Sequence, residues 1–179
     1  MGENKLKVWT FGHSTRALEE FIEALNSFAI KVLVDVRSFP GSRRYPHFNR
    51  EQLKASLAAA GIDYQHFPEL GGRRRAKPDS LNMTWRNESF RGYADYMETG
   101  DFRAGIERLL SVANQRRTAV MCSEAVWWRC HRSLISDYLK AKGVEVTHIM
   151  GVRKSEVHPF TSAARIVNGA LSYRGILED

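Results

Sequence analysis

The sequence predicts an α/β domain, a three-layer sandwich with a mainly parallel central sheet and a C-terminal hairpin. Three observations carry this reading. Five short apolar or β-branched runs alternate with stretches of helical periodicity, the element order that builds parallel sheets. The run Lys31 to Val36 (KVLVDV) is almost continuously apolar, as a strand covered on both faces must be. A length of 179 residues, 43% hydrophobic and 26% charged, suits one domain with one core. A disordered chain or a disulfide-framed miniature does not fit.

Each element follows in order. Lys7 to Phe11 reads as a strand ended by Gly12-His13-Ser14-Thr15, after which Leu18, Phe21, Ile22, Leu25 and Phe28 recur at helical spacing. Lys31 to Val36 is the second strand, with Asp35 and Arg37 at its end, and a loop with Pro40, Gly41 and Pro46 follows. Asn49 is expected to cap a second helix striped by Leu53 and Leu57 and stopped at Gly61. Ile62 to Phe67 alternates as a third strand that leads into Pro68-Glu69-Leu70-Gly71-Gly72 and a basic insertion at about residues 71–91. Tyr93, Tyr96 and Met97 mark a short helix, and Asp101 is expected to cap another carrying Phe102, Ile106, Leu109 and Leu110. Thr118 to Met121 is the fourth strand, the helix with Leu134, Ile135, Tyr138 and Leu139 closes at Gly143, and Val144 to Met150 is the fifth strand. Asn168-Gly169 between two apolar runs signals a tight hairpin.

The net charge of +7 is concentrated in two places. Residues 37–54 and 71–91 contribute +4 each, so the remainder sums to −1. Arginines interleaved with Tyr45, Phe48, Trp85 and Phe90 suit phosphate contacts combined with base stacking, and the alternative is a solvated basic surface. No apolar run reaches the roughly 18 residues of a membrane span, and Met1 to Val8 lacks a signal-peptide core, so no membrane partner and a cytoplasmic location are expected. Two cysteines, Cys122 and Cys130, fit free thiols in a reducing compartment.

Ligands of parallel sheets bind beyond the carboxyl ends of the strands. There the chain places His13-Ser14, Asp35 with Arg37, Glu69 with Gly71 and Gly72, and Cys122-Ser123-Glu124. One cleft is expected to hold them. His13, Glu69, Cys122 and Glu124 are the candidate acid, base or nucleophile, because a strand-end thiol near positive charge ionises readily and carboxylates beside a histidine suit proton transfer. Ser14, Asp35, Arg37, Arg43, Arg44, Gly71, Gly72, Cys130, His131 and Arg132 are the candidate anion-binding set, His131 and Arg132 because a helix exposes its first amides there. Other roles stay open for several of them: Cys122 as a core residue, His13 as a buried histidine, Asp35 with Arg37 as a structural pair. Cys122 to Arg132 is longer than a Cys-x5-Arg phosphate loop, and Trp128 stands where that arginine would be. Adjacent Cys130 and His131 with a seven-residue gap to Cys122 match no common zinc spacing, so neither metal nor other cofactor is expected.

Taken together, Thr10-Phe11-Gly12-His13-Ser14-Thr15, Val34-Asp35-Val36-Arg37-Ser38-Phe39-Pro40, Phe48-Asn49-Arg50-Glu51, Pro68-Glu69-Leu70-Gly71-Gly72, and Cys122-Ser123-Glu124 with Cys130-His131-Arg132-Ser133 resemble the family called domain of unknown function 488, over about residues 8–175. The resemblance implies a cytosolic, prokaryotic-type α/β protein and no particular reaction. Relatives often carry a proline at the position of Trp127. The layout is also similar to that of rhodaneses, with an Asp-Val-Arg strand before a cysteine loop, although the loop length differs. Three readings follow: an enzyme with a cleft for a phosphate-bearing substrate, a nucleotide or nucleic acid; a non-catalytic nucleic-acid-binding module using Trp127 and Trp128; and a thiol sensor of redox state or stress.

Overall fold

The computed structural model describes residues 5–175. Its strands are β1 (Lys7–Gly12), β2 (Val32–Asp35), β3 (Asp63–His66), β4 (Thr118–Cys122), β5 (Glu145–Gly151) and β6 (Lys154–Val157), in the sheet order β3-β2-β4-β1-β5-β6. The first five are parallel and β6 runs antiparallel at one edge. This sixth strand was not expected, because Lys154 to Val157 is exposed along its whole length and carries no burial pattern. Strands β7 (Arg165–Val167) and β8 (Ala170–Ser172) form the separate hairpin, turning at Asn168 and Gly169, both with positive φ.

Alternate side chains of the sheet enter two cores. Trp9 and Phe11 of β1, Leu33 of β2 and Met121 of β4 pack with helices α1 (Leu18–Ser27) and α2 (Arg50–Ala59). Val8, Val32, Val34 and Val120 face the other way, onto α3 (Glu88–Tyr96), α4 (Gly100–Gln115) and α5 (Arg132–Ala141). The three layers follow from this period of two across strands buried on both faces. No helix among the described residues is long and apolar enough to cross a membrane.

Two caps differ from expectation. Thr99, not Asp101, caps α4, accepting from Phe102 N–H at 3.3 Å, while Asp101 sits in the first turn, where a carboxylate faces the positive helix end. Asn49 is at the N-cap position of α2, yet its side chain accepts from Ser42 N–H and so ties the loop after β2 to the helix.

The aromatic interleaving is largely structural. Phe48 is fully buried, and Trp85 packs on Phe90 and Tyr173. Trp127 is buried against His148, leaving Trp128 half exposed, so the tryptophans do not form one stacking surface. The basic insertion is organised around Asp95, which accepts from Lys77 N–H, Ser80 and Asn82.

Candidate functional site

The parallel strands bring their carboxyl ends together, and a cavity of about 630 Å³ opens there. His13 N–H donates to the Cys122 carbonyl at 2.9 Å and Ser14 N–H to that of Ser123 at 3.0 Å, so the loops after β1 and β4 run side by side. Gly12 permits that approach. A Cβ at Gly12 would stand 1.8 Å from the Glu124 carbonyl oxygen, and no flexible side chain there is free to yield. Gly12→Ala is therefore expected to displace the 123–125 loop and cost about 1–3 kcal/mol, read as a fall in the urea midpoint; an unchanged midpoint would refute the close approach.

Of the sequence-predicted residues, His13, Ser14, Arg37, Gly72, Cys122, Glu124, Cys130 and His131 line the cavity. Asp35 and Arg132 stand directly behind it, 0% and 1% exposed. Arg43 and Arg44 are exposed on the loop whose Gly41, Ser42 and Tyr45 line the wall. Glu69 is not brought to the cavity; it pairs with Arg108 of α4 at 2.8 Å. Gly71 is also outside the lining and lets Ser38 pack against it. Sequence reasoning missed Ser38, Phe39, Ser42 and Arg73 as lining residues. Ser14 and Arg73 both adopt positive φ, a backbone cost that clusters at functional sites.

Asp35 holds Arg37. The carboxylate accepts from Arg37 N–H, Nε–H and Nη2–H and from the Tyr64 hydroxyl, while Arg37 Nη2 also donates to the Phe48 carbonyl. Arg37 Nη1 is then left at 3.3 Å from Nε2 of His13, which stacks on Phe48 and donates from Nδ1–H to the Ser14 carbonyl. Burial lowers the His13 pKa to about 4. It is neutral at pH 7, and its Nε2 is the acceptor that faces Arg37.

The thiols form the other wall. Cys122 Sγ and Cys130 Sγ lie 2.7 Å apart, and Arg132 Nε–H donates to Cys122 Sγ at 3.0 Å. Arg132 N–H, at the start of α5, points to Cys130 Sγ at 3.5 Å. The remaining guanidinium donors go to Thr10 Oγ1 and to the carbonyls of Glu124 and Ala125. Among the described residues no carboxylate lies within ion-pair distance of Arg132. Burial opposes ionisation of Cys130, but the hydrogen bond from Cys122 and the Arg132 charge outweigh it and bring its pKa down to about 7. Burial and the neighbouring sulfur push Cys122 well up. Cys130 is thus the more acidic of the two sulfurs, where the sequence-based expectation gave the ready ionisation to Cys122. His131 Nε2 meets the Val36 carbonyl at 3.2 Å, and its Nδ1 lies 3.5 Å from Cys130 Sγ.

Among the described residues no group of three or more His, Cys, Asp or Glu side chains is placed to hold a metal ion.

Comparison with known proteins matches residues 17–139 to the family described as domain of unknown function DUF488, and the chain belongs to that family. The match is narrower than the motif resemblance and leaves Thr10 to Thr15 and the C-terminal segment outside it. Neither the curated proteins nor the solved structures gave a match.

Proposed function

We propose that this member of the DUF488 family is a thiol-dependent enzyme, a hydrolase or transferase, whose cavity takes a phosphate-bearing substrate beside Cys130. One observation carries the reading: a buried guanidinium spends its Nε donor on a thiol, and a second thiol lies 2.7 Å further on. A cation removed from water requires a negative partner, and a thiolate shared by this pair is the group in direct contact.

Cys130 is the nucleophile. Its sulfur lone pair forms a bond to an electrophilic atom of the substrate as the bond to the leaving group breaks and the leaving group takes that electron pair. Water, or an acceptor hydroxyl in a transferase, then adds to the same atom, releases the sulfur as thiolate and gives up one proton to solvent. Phosphate recognition falls to Arg37 and Arg73, with Ser14, Ser38 and Ser42 around the same cavity and Arg43 and Arg44 on the rim loop. Phe39 is 81% exposed at the mouth, close in sequence to Tyr45 on the same loop, and these rings favour a nucleotide or nucleic-acid end as the phosphate bearer.

Peptide-resolved alkylation with iodoacetamide tests the proposal. Cys130 is expected to label with a midpoint near pH 7, well before Cys122, and a nucleoside monophosphate is expected to slow the labelling, less so as salt rises from about 50 to 200 mM. Labelling of Cys130 only after denaturation would reject the thiol centre. Unchanged labelling with saturating nucleotide would reject the substrate class.

The same sulfur separation favours a redox sensor as the second reading. Hydrogen peroxide would convert the Cys130 thiolate to a sulfenic acid with loss of hydroxide. Cys122 would then displace that oxygen as water, forming the disulfide. Peroxide-dependent loss of both thiols, with no phosphate compound affecting the cavity, is the result that selects it.

A further inference from the structure

Behind the thiol wall lies a second set of buried polar side chains, none of which lines the cavity. Arg132 Nη1–H donates to Thr10 Oγ1 at 3.1 Å, and Thr10 Oγ1 lies 2.5 Å from Nδ1 of His148. His148 Nε2 is 2.8 Å from His158 Nδ1, and His158 Nε2 is 2.8 Å from Asp137 Oδ1. Asp137 is completed by Thr161 N–H, the Thr161 hydroxyl and the Tyr173 hydroxyl. Thr10, His148, His158 and Asp137 are each at most 1% exposed.

One direction of donation satisfies both ends. A guanidinium only donates and a carboxylate only accepts. In that direction the Thr10 oxygen accepts from Arg132 and gives its own proton to Nδ1 of His148. His148 then carries its proton on Nε2 and donates to His158, which donates from Nε2 to Asp137. This direction leaves no acceptor facing an acceptor and no donor facing a donor. Neutral His148 follows from its burial, which lowers its pKa to about 2. Trp127, stacked on His148 at 4.5 Å, closes the chain from water.

We propose that Thr10, His148, His158 and Asp137 are positioning residues for the thiol pair: a one-directional hydrogen-bond chain that holds the Arg132 guanidinium against Cys122 and links its charge to that of Asp137. The proposal rests on the thiol reading above and extends it by four residues that never touch the substrate. It also gives the C-terminal segment a part in the site. Tyr173 and Thr161 both end on Asp137, and the Tyr173 carbonyl accepts from Thr84 N–H and its hydroxyl, so the basic insertion is fastened to the same anchor.

The groups facing the two sulfurs are Arg132 of α5, His131 at the N-cap position before it and Tyr93 of α3, none of which the test alters. In the full chain, Thr10→Val keeps the side-chain shape and removes the link, whereas Thr10→Ser keeps the hydroxyl. The Cys130 alkylation midpoint is expected to rise by about one pH unit in Thr10→Val, about a tenfold loss of thiolate below the midpoint, and to return to the wild-type value in Thr10→Ser. A folded Thr10→Val with an unmoved midpoint overturns the proposal while leaving the thiol centre intact. A wild-type midpoint at or above about 8.5 would instead remove the thiol reading, and the chain's role with it. Should Thr10→Val not fold, nitrogen NMR of the wild-type protein at pH 7 decides: His148 is expected as the neutral Nε2–H tautomer, and an Nδ1–H tautomer there overturns the chain.

Discussion

Arg132→Met is expected to cost about 3–5 kcal/mol of folding stability and to move the Cys130 alkylation midpoint from near pH 7 into the range of an ordinary thiol. The guanidinium is 1% exposed and donates to a sulfur, a hydroxyl and two carbonyls. Methionine fills much of its volume and satisfies none of these acceptors, so the buried Thr10 oxygen loses its donor, as do the part-buried carbonyls of Glu124 and Ala125. The sign of the thiol effect is fixed by charge. Arg132 lowers the free energy of the thiolate and not of the thiol, so its loss raises the Cys130 pKa and empties the thiolate at neutral pH. Arg132→Lys separates charge from geometry: a single ammonium keeps the positive field but lacks the planar fork, so it is expected to recover part of the midpoint and little of the stability. Urea unfolding together with alkylation against pH reads both. If Arg132→Met unfolds at the wild-type urea concentration, or labels at the wild-type midpoint, the guanidinium is not what organises this wall.

How far the sequence reached depends on the range of each interaction. The layers were legible because alternation in the strands and the 3.6-residue period of the helices are local signals, and the KVLVDV run announces a strand covered on both sides. Most of the site was legible for a topological reason. Parallel strands deliver their C-terminal residues to one edge, so His13, Arg37 and Cys122 converge whatever the details. Glu69 failed that rule because the chain turns after β3 through Pro68 and Leu70, which carries the carboxylate outward to Arg108. Which sulfur is the more acidic was not legible, since it depends on a sulfur-to-sulfur approach across eight residues and on which sulfur the helix amide faces. The chain from Thr10 to Asp137 was hidden for the same reason: His148 sits within an apolar strand, and its partners are 10 and 138 residues away. A histidine in the middle of a buried strand was the available signal, because an imidazole there requires partners on both nitrogens.

Acid is expected to destabilise the fold steeply between pH 7 and pH 5, by about 4 kcal/mol, and two histidines account for it. His13 has a folded pKa of about 4 and His148 one of about 2, both because burial disfavours the imidazolium, against an unfolded value near 6.5. Between the folded and unfolded values the unfolded chain binds the proton and the folded chain does not, so stability rises with pH across this window and is lost as pH falls below 6.5. At pH 5 each histidine contributes about 2 kcal/mol of that loss, since one pKa unit corresponds to 1.36 kcal/mol and the window covers about 1.5 units. His131, also lowered by burial, adds in the same direction. The carboxyls of Asp63 and Asp95, held below their usual range, release protons at lower pH and do not enter this window. Cys130 works on the alkaline side: its folded pKa lies below that of an ordinary thiol, so stability increases as pH rises from about 7 towards 9 and falls again through that range on acidification. The maximum is therefore expected above pH 7. Urea unfolding at pH 5, 6, 7 and 8 measures the slope, and His13→Gln isolates one share, because glutamine has no proton to gain and the variant should lose about 2 kcal/mol less than wild type between pH 7 and 5. A flat profile in that range would mean that His13 and His148 are charged in the folded protein, which would also dissolve the neutral acceptor that faces Arg37 and the one-directional chain behind Arg132.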